Sequence, residues 1–314
     1  MSPPTLLAVP NVSEGLDAGL IASLGAVVEV PPSPGSVDLG RGSARLLDVH
    51  SDADHDRSVF TFAAQPGALA EAMLRLAGEA VSAIDLGSPG RLGQHPHVGA
   101  LDVAPVVYLR PEDRGAACAE ALVVAERIGT ELDVPVFLYG ELTAEAPGAG
   151  RTRAALRRGG IAGLRERMAS GGEGGERLGQ DFGPAVPHLR AGATLVAARP
   201  PLVAFNLQLA APATLEDARR VAALVREGGA EGLPGLRAIG VELRGAVAQV
   251  SMNVERPFEL SLAEVVLAVG RHARLADGEL VGLVPAAAME GFPEDLAMPG
   301  FDPARHVIEN ALGW

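Results

Sequence analysis

The chain has 314 residues, 48% of them hydrophobic, which at roughly 100–200 residues per domain is enough for two cores. Its formal net charge is −13 and it contains no Lys/Arg-rich run, so nucleic-acid binding by phosphate neutralisation is excluded, although a few local arginines can still gather a small anion. The single cysteine, Cys118, excludes an intrachain disulfide and a CxxC metal site.

The start, Met1–Thr5, lacks the basic region and long apolar stretch of a secretory signal. The most apolar segment, Thr194–Leu209, is interrupted by Arg199, Pro200 and Pro201 and is too short to span a bilayer. A cytoplasmic protein with no membrane partner is expected.

A short strand is predicted at Leu6–Val9, then a helix over Glu14–Leu24. Strands follow at Arg45–Val49 and Ser58–Phe62, separated by a polar loop, His50–Arg57. Leu69, Met73, Leu76, Ala80 and Ile84 recur at helical spacing. Val103–Leu109 reads as a strand, Arg114–Leu132 as a helix with Cys118 on its apolar stripe, and Val134–Tyr139 as another strand. Thr143–Gly150 and Ser170–Gly175, rich in small residues, read as surface loops.

The second half runs strand (Leu202–Leu209), helix (Thr214–Glu227), strands (Leu236–Leu243 and Ala248–Val254), helix from Ser261, strand (Leu280–Val284). Thr214-Leu215-Glu216-Asp217 has the form of a capping box. The order β-α-β-β-α-β is the split βαβ, or ferredoxin-like, arrangement. The first half reads the same way with an extra helix and strand appended. The expected fold is therefore α+β: two tandem ferredoxin-like subdomains with a cleft or tunnel between them. They are expected to join near Asp181–Arg190, giving domains 1–185 and 186–314.

Four of the seven histidines fall in two loops beside predicted strands. One holds His50 and His55 among Asp52, Asp54, Asp56 and Arg57; the other is Gly93-Gln94-His95-Pro96-His97-Val98-Gly99-Ala100-Leu101-Asp102. Loops held on strand ends commonly present functional groups. The alternating aspartates do not make a calcium loop, because Arg57 stands where that loop needs Gly and Ala63 where it needs Glu. A transition-metal site built from His50, His95 and His97 remains open on residue types alone. There is no GxSxG elbow and no GxxxxGK[ST] phosphate loop.

The ordered motifs are more specific. Val9-Pro10-Asn11-Val12-Ser13-Glu14-Gly15, Asp56-Arg57-Ser58-Val59-Phe60-Thr61-Phe62 and His95-Pro96-x-x-Gly99-Ala100-Leu101-Asp102-Val103 are followed by Val134–Gly140 and Asp181-Phe182-Gly183-Pro184. Leu202–Leu207, Ala248–Asn253 and Glu279–Pro285 complete the series. Together they resemble the glutamate formimidoyltransferase family from about residue 5 to 290, with no counterpart of the cyclodeaminase domain fused to the animal enzyme.

The resemblance implies transfer of a formimino (or formyl) group between N-formimino-L-glutamate and N5 of tetrahydrofolate during histidine breakdown, by a homodimer. It implies that His95 is the catalytic acid–base, with His50 and Asp52 as candidates to orient it. It places folate contacts on Gly183, Pro184, Ala185, Val186, Pro187, His188, Leu189, Arg190, Ala191 and Gly192. Arg57 and Arg199 are candidates for the substrate carboxylates. Tetrahydrofolate is expected as co-substrate, without a metal.

The sequence departs from the family pattern at His50, where an acidic residue is usual, and at His97, where Arg is usual. Gln180 replaces a proline, and the loop before His95 is longer than usual. A metal-dependent hydrolase using His50, His95 and His97, or a non-catalytic folate binder, are the alternative readings.

Overall fold

The computed structural model describes residues 3–30, 43–88, 97–143, 150–170 and 177–314. His95 lies outside the described residues, as do the Gly171–Glu176 stretch and most of the expected 143–150 loop. The chain divides into two compact units, Met1–Pro200 and Pro201–Trp314.

In the first unit, β1 (Leu6–Ala8) and β2 (Asn11–Val12) lead to helix α1 (Ala18–Ala26). Asp17 caps that helix by accepting from the Leu20 amide. Next come β3 (Arg45–Asp52), β4 (Arg57–Ala64), α2 (Ala68–Ala83) and β5 (Leu101–Tyr108). Helix α3 (Arg114–Glu131), β6 (Val136–Leu138), the short helices α4 (Arg153–Arg157) and α5 (Gly160–Ser170), and β7 (Thr194–Arg199) finish the unit.

β1 and β2 lie antiparallel between β4 and β5, β3 flanks β4, and β7 and then β6 extend the sheet in parallel beyond β5. The two compact units meet at Pro200/Pro201. β7, which the sequence reading did not assign, belongs to the first sheet, so the division falls after Pro200. Pro200 and Pro201 follow it directly, and proline cannot continue a paired strand.

Cross-strand register sorts the side chains by face, because residues opposite one another point the same way. His50, Val59, Asn11, Val103, Leu195 and Phe137 form one continuous row across six strands. On the opposite face, Leu6, Ala8, Phe60, Phe62, Val106 and Val196 join the buried stripe of α2 (Leu69, Met73, Leu76, Ala80) and α3 in the main core. The face carrying the row is covered at its β5–β7–β6 end by Leu156, Leu164 and Met168 of α4 and α5. At its β3–β4 end it is polar. Cys118 is half-buried at the edge of the main core, and burial pushes its thiol up.

One carboxylate sits inside this packing. Glu120 of α3 is 5% exposed, and its Oε1 accepts from the Gly67 and Ala70 amides at 2.7 Å each. These are orphan donors at the start of α2, where Gly67 takes φ +87° and supplies no side-chain cap. A residue of the neighbouring helix therefore does the capping.

The second unit contains β8 (Val203–Leu209), α6 (Leu215–Val225), β9 (Leu236–Leu243), β10 (Val247–Val254), α7 (Leu262–Gly270), β11 (Leu275–Val281) and the short helices α8 (Pro303–His306) and α9 (Ile308–Leu312). Its sheet runs β11-β8-β10-β9, antiparallel throughout. Thr214–Asp217 and Ser261–Glu264 both form complete capping boxes. Leu262, Val266 and Val269 of α7 are buried against this sheet's core. No helix among the described residues is long and apolar enough to cross a membrane.

Replacing Glu120 by Leu leaves two buried amides without an acceptor, so Glu120→Leu is expected to cost roughly 1–3 kcal/mol, read as a lower urea midpoint.

Candidate active site

The polar end of the first sheet begins with a hairpin. His50 and Asp52, expected in a loop, are on strand β3 itself, two residues apart and therefore on one face. Asp52 pairs in register with Arg57, and the connecting turn is only Ala53–Asp56. The aspartates serve that turn. Oδ1 of Asp52 accepts from the amides of Asp54 (2.8 Å) and His55 (3.1 Å), and Asp56, at φ 46°, accepts from the Gly15 amide at 3.0 Å. Gly15 is required there, since a Cβ would lie 2.3 Å from the Asp52 carbonyl oxygen.

The other oxygen of Asp52 meets Nδ1 of His55 at 2.5 Å. Burial acts to raise the Asp52 pKa, but the hydrogen bond and charge of His55, with the two turn amides, outweigh it and bring the carboxyl down to about 2. Asp52 is thus a committed carboxylate whose direct partner is His55, a residue absent from the expected site.

Arg57 opens β4 beside this pair. Burial, then the charges of Arg157 and Arg153, pull its pKa down to about 10 against the favourable pull of Asp52 and Asp102. It remains a cation at neutral pH, and its Nε has no hydrogen-bond partner among the described residues. Arg199, at the end of β7, behaves similarly. Burial lowers its pKa to about 10, Arg153 adds repulsion, and Nε again lacks a partner among the described residues. Both candidate carboxylate-binding arginines therefore feel Arg153, which the sequence reading did not single out.

The histidine loop is anchored by Asp102, which is 2% exposed. Its Oδ1 accepts from the Val98 amide at 2.7 Å, and its Oδ2 pairs with Arg157 of α4, itself 7% exposed. The same carboxylate thus closes the His97–Asp102 turn and neutralises a buried guanidinium. Ser13 completes the anchor, donating from its hydroxyl to the Gly99 carbonyl at 2.8 Å.

Residues 190–193 are hydrogen-bonded to Leu86 and to the Val98–Ala100 turn. The Leu86 amide donates to the Arg190 carbonyl, Ala100 to Ala191, and Ala193 to Val98, each at 2.9 Å. Arg190 also pairs with Asp85 at 3.3 Å. Gly99 and Gly192 bridge so closely that a Cβ on Gly99 would stand 1.9 Å from the Ala193 carbonyl oxygen. Nδ1 of His188 accepts from the Ala191 amide at 2.9 Å, which fixes a tight turn and leaves Leu189 82% exposed at its tip.

The structure thus gathers Asp52, Arg57, Asp102, Arg153 and Arg157, and ties 190–193 to the flanks of the segment containing His95. His95 lies outside the described residues. Among the described residues no three His, Cys, Asp or Glu side chains are placed to hold a metal. His55, Asp102, Arg153 and Arg157 were missed. Asp102 stands within a quoted motif and could have been found there, whereas Arg153 and Arg157 follow a small-residue stretch with no periodic signal.

Residues 5–199 match the formiminotransferase domain, N-terminal subdomain. A glutamate formimidoyltransferase from Streptococcus pyogenes serotype M1 is 34% identical over 311 residues, covering 97% of this chain and 97% of that protein. A second, from Thermoplasma acidophilum, is 30% identical and covers 94% of this chain and 93% of its own length. The formimidoyltransferase-cyclodeaminase of Mus musculus is 34% identical, and there the alignment spans 90% of this chain but 50% of the mouse protein. The chain belongs to the formiminotransferase family.

Arg157→Met is expected to destabilise the protein by about 3–5 kcal/mol, because it strands the buried Asp102 carboxylate, and Asp102→Leu in the same chain is expected to recover part of the loss, the Val98 amide then lacking its acceptor. Urea unfolding of the two singles and the double checks the coupling.

Proposed function

We propose that this chain is a glutamate formimidoyltransferase, moving the formimino group of N-formimino-L-glutamate to N5 of tetrahydrofolate in histidine degradation. The observation that carries the reading is the alignment over 97% of both chains with a bacterial enzyme of that name. We further propose that it works in the cytoplasm, and as a homodimer, the latter as the family resemblance implies.

In the chemistry, N5 of the folate attacks the formimino carbon. N5 must lose a proton, and the departing glutamate nitrogen must gain one. A side chain titrating near neutrality can take the first and deliver the second, and His95 is the proposed group. His50 is its proposed orienting partner. Asp52, tied to His55, holds the hairpin that presents His50. Arg57 and Arg199, sharing Arg153 as a charged neighbour, are proposed to take carboxylates, for which buried guanidinium groups with unused N–H donors are suited. Residues 183–192 are the proposed folate contacts, supported by their hydrogen bonds to residues flanking the histidine loop.

The two sheets are proposed to be ferredoxin-like. In the second unit the order β11-β8-β10-β9 follows from β-α-β-β-α-β connectivity. In the first, β5, β1/β2, β4 and β3 repeat it, with α3, β6 and β7 appended.

His95→Ala is expected to lower formimino transfer by about 10²–10⁴-fold while the dissociation constant for reduced folate changes little. Chelator treatment of the wild type is expected to leave turnover unchanged. Equal loss of folate affinity in His95→Ala, or loss of turnover on chelation, would contradict the assignment.

A further inference from the structure

The opening motif, Val9–Gly15, has no part in the mechanism above, yet its last three residues are tied to both segments that carry the site. β2 lies between β4 and β5, with Asn11 opposite Val59 and Val103, and Val12 opposite Ser58 and Leu101. Beyond β2 the chain runs on between the His50 hairpin, whose second strand is β4, and the His97–Asp102 turn, which leads into β5. Two strand spacings, roughly 10 Å, separate the backbones on either side. Groups from the two segments can serve one small substrate only if that spacing and register are held.

Ser13, Glu14 and Gly15 make hydrogen bonds in both directions. Toward the turn, the Ser13 amide donates to the Ala100 carbonyl at 2.9 Å and its hydroxyl to the Gly99 carbonyl at 2.8 Å. Toward the hairpin, the Ser58 hydroxyl donates to the Glu14 carbonyl at 2.6 Å, and the Gly15 amide donates to Asp56 at 3.0 Å. The Ser51 and Ser58 hydroxyls meet at 2.9 Å, which extends the tie to β3 beside His50. The Glu14 carboxylate accepts from the Leu16 and Asp17 amides at 2.8 and 2.9 Å, anchoring the segment to the lead-in of α1 as well. Ser13, Glu14, Asp56 and Ser58 are all buried, so these bonds do not compete with water. The packing leaves no slack. A Cβ on Gly15 would lie 2.3 Å from the Asp52 carbonyl oxygen and 2.5 Å from the Arg57 amide nitrogen, the pair that closes the hairpin.

We infer that Ser13-Glu14-Gly15 is a brace that fixes the His50 hairpin against the His97–Asp102 turn, with Ser13 and Ser58 as positioning residues for the transfer. The inference rests on the proposed function and gives these residues no contact with substrate. They act through the backbone carbonyls they hold. Where reacting groups come from two segments, a shift of about 1 Å can cost on the order of 10²-fold in rate. Ground-state affinity, spread over many contacts, changes far less.

The test measures turnover and calorimetric ligand binding in the full chain for wild type, Ser13→Ala, Ser58→Ala and the double variant. Glu120→Leu is the control, because the hydrogen bonds it loses lie in the main core on the opposite face of the sheet. Assays run below the thermal midpoint of every variant, so that only folded protein is compared. Each serine variant is expected to lower kcat by about 10–10²-fold, with dissociation constants for N-formimino-L-glutamate and 5-formyltetrahydrofolate within about twofold of wild type. The double variant is expected to be no slower than the slower single, because both cuts sever one brace. Glu120→Leu is expected to keep the wild-type kcat despite its lower stability. Should Ser13→Ala not fold, Ser58→Ala against the control decides. Wild-type kcat in the serine variants, losses confined to affinity, multiplicative losses in the double variant, or an equal loss in Glu120→Leu would overturn the inference and leave the transferase reading standing. A wild type without turnover would overturn both.

Discussion

The ion pair between Asp102 and Arg157 is the contact on which the first unit's site depends. Asp102 lies on strand β5, Arg157 on the short helix α4, and both are almost completely buried. A pair taken this far from water gains from attraction only when its other bonding capacity is also used. Asp102 meets that condition with its second oxygen, which holds the Val98 amide and so fixes the end of the histidine loop. The same carboxylate thus joins a helix, a strand and the His97–Asp102 turn.

Around that pair the site has a simple electrostatic plan. The chain as a whole is acidic, with a formal net charge of −13, yet Arg57, Arg153, Arg157 and Arg199 are drawn into mutual electrostatic range through the first sheet and α4. Asp52 and Asp102 temper the cluster, and Asp52 is in turn shared with His55. What remains is a local positive excess with unused Nε donors on Arg57, Arg157 and Arg199 among the described residues. Such an arrangement suits a small dicarboxylate far better than a polyanion, which would need an extended basic face.

Much of this was legible in the sequence, for identifiable reasons. The helices α2, α3, α6 and α7 announced themselves through apolar periodicity or capping boxes, which are local signals. Strand β7 did not, because Thr194–Arg199 is a parallel strand buried at every residue but the last, without alternation, and it runs into a proline pair that suggested an interruption. Within the site, His50, Asp52 and Arg57 were visible as a polar cluster, but their presence on paired strands rather than in a loop follows from a four-residue turn, Ala53–Asp56, that needs Asp56 at positive φ. Arg153 and Arg157 were invisible, since their importance comes from tertiary neighbours more than forty residues away in sequence. The family resemblance, by contrast, was carried by motifs in order and needed no structure.

The most direct test of the central claim is a single-turnover assay of the metal-free wild-type protein with N-formimino-L-glutamate and tetrahydrofolate, following the formimino group and free glutamate together. The account predicts that 5-formiminotetrahydrofolate and glutamate form in equal amounts, with no glutamate released when folate is omitted. Release of glutamate without folate, or activity that appears only on adding a divalent metal, would contradict it.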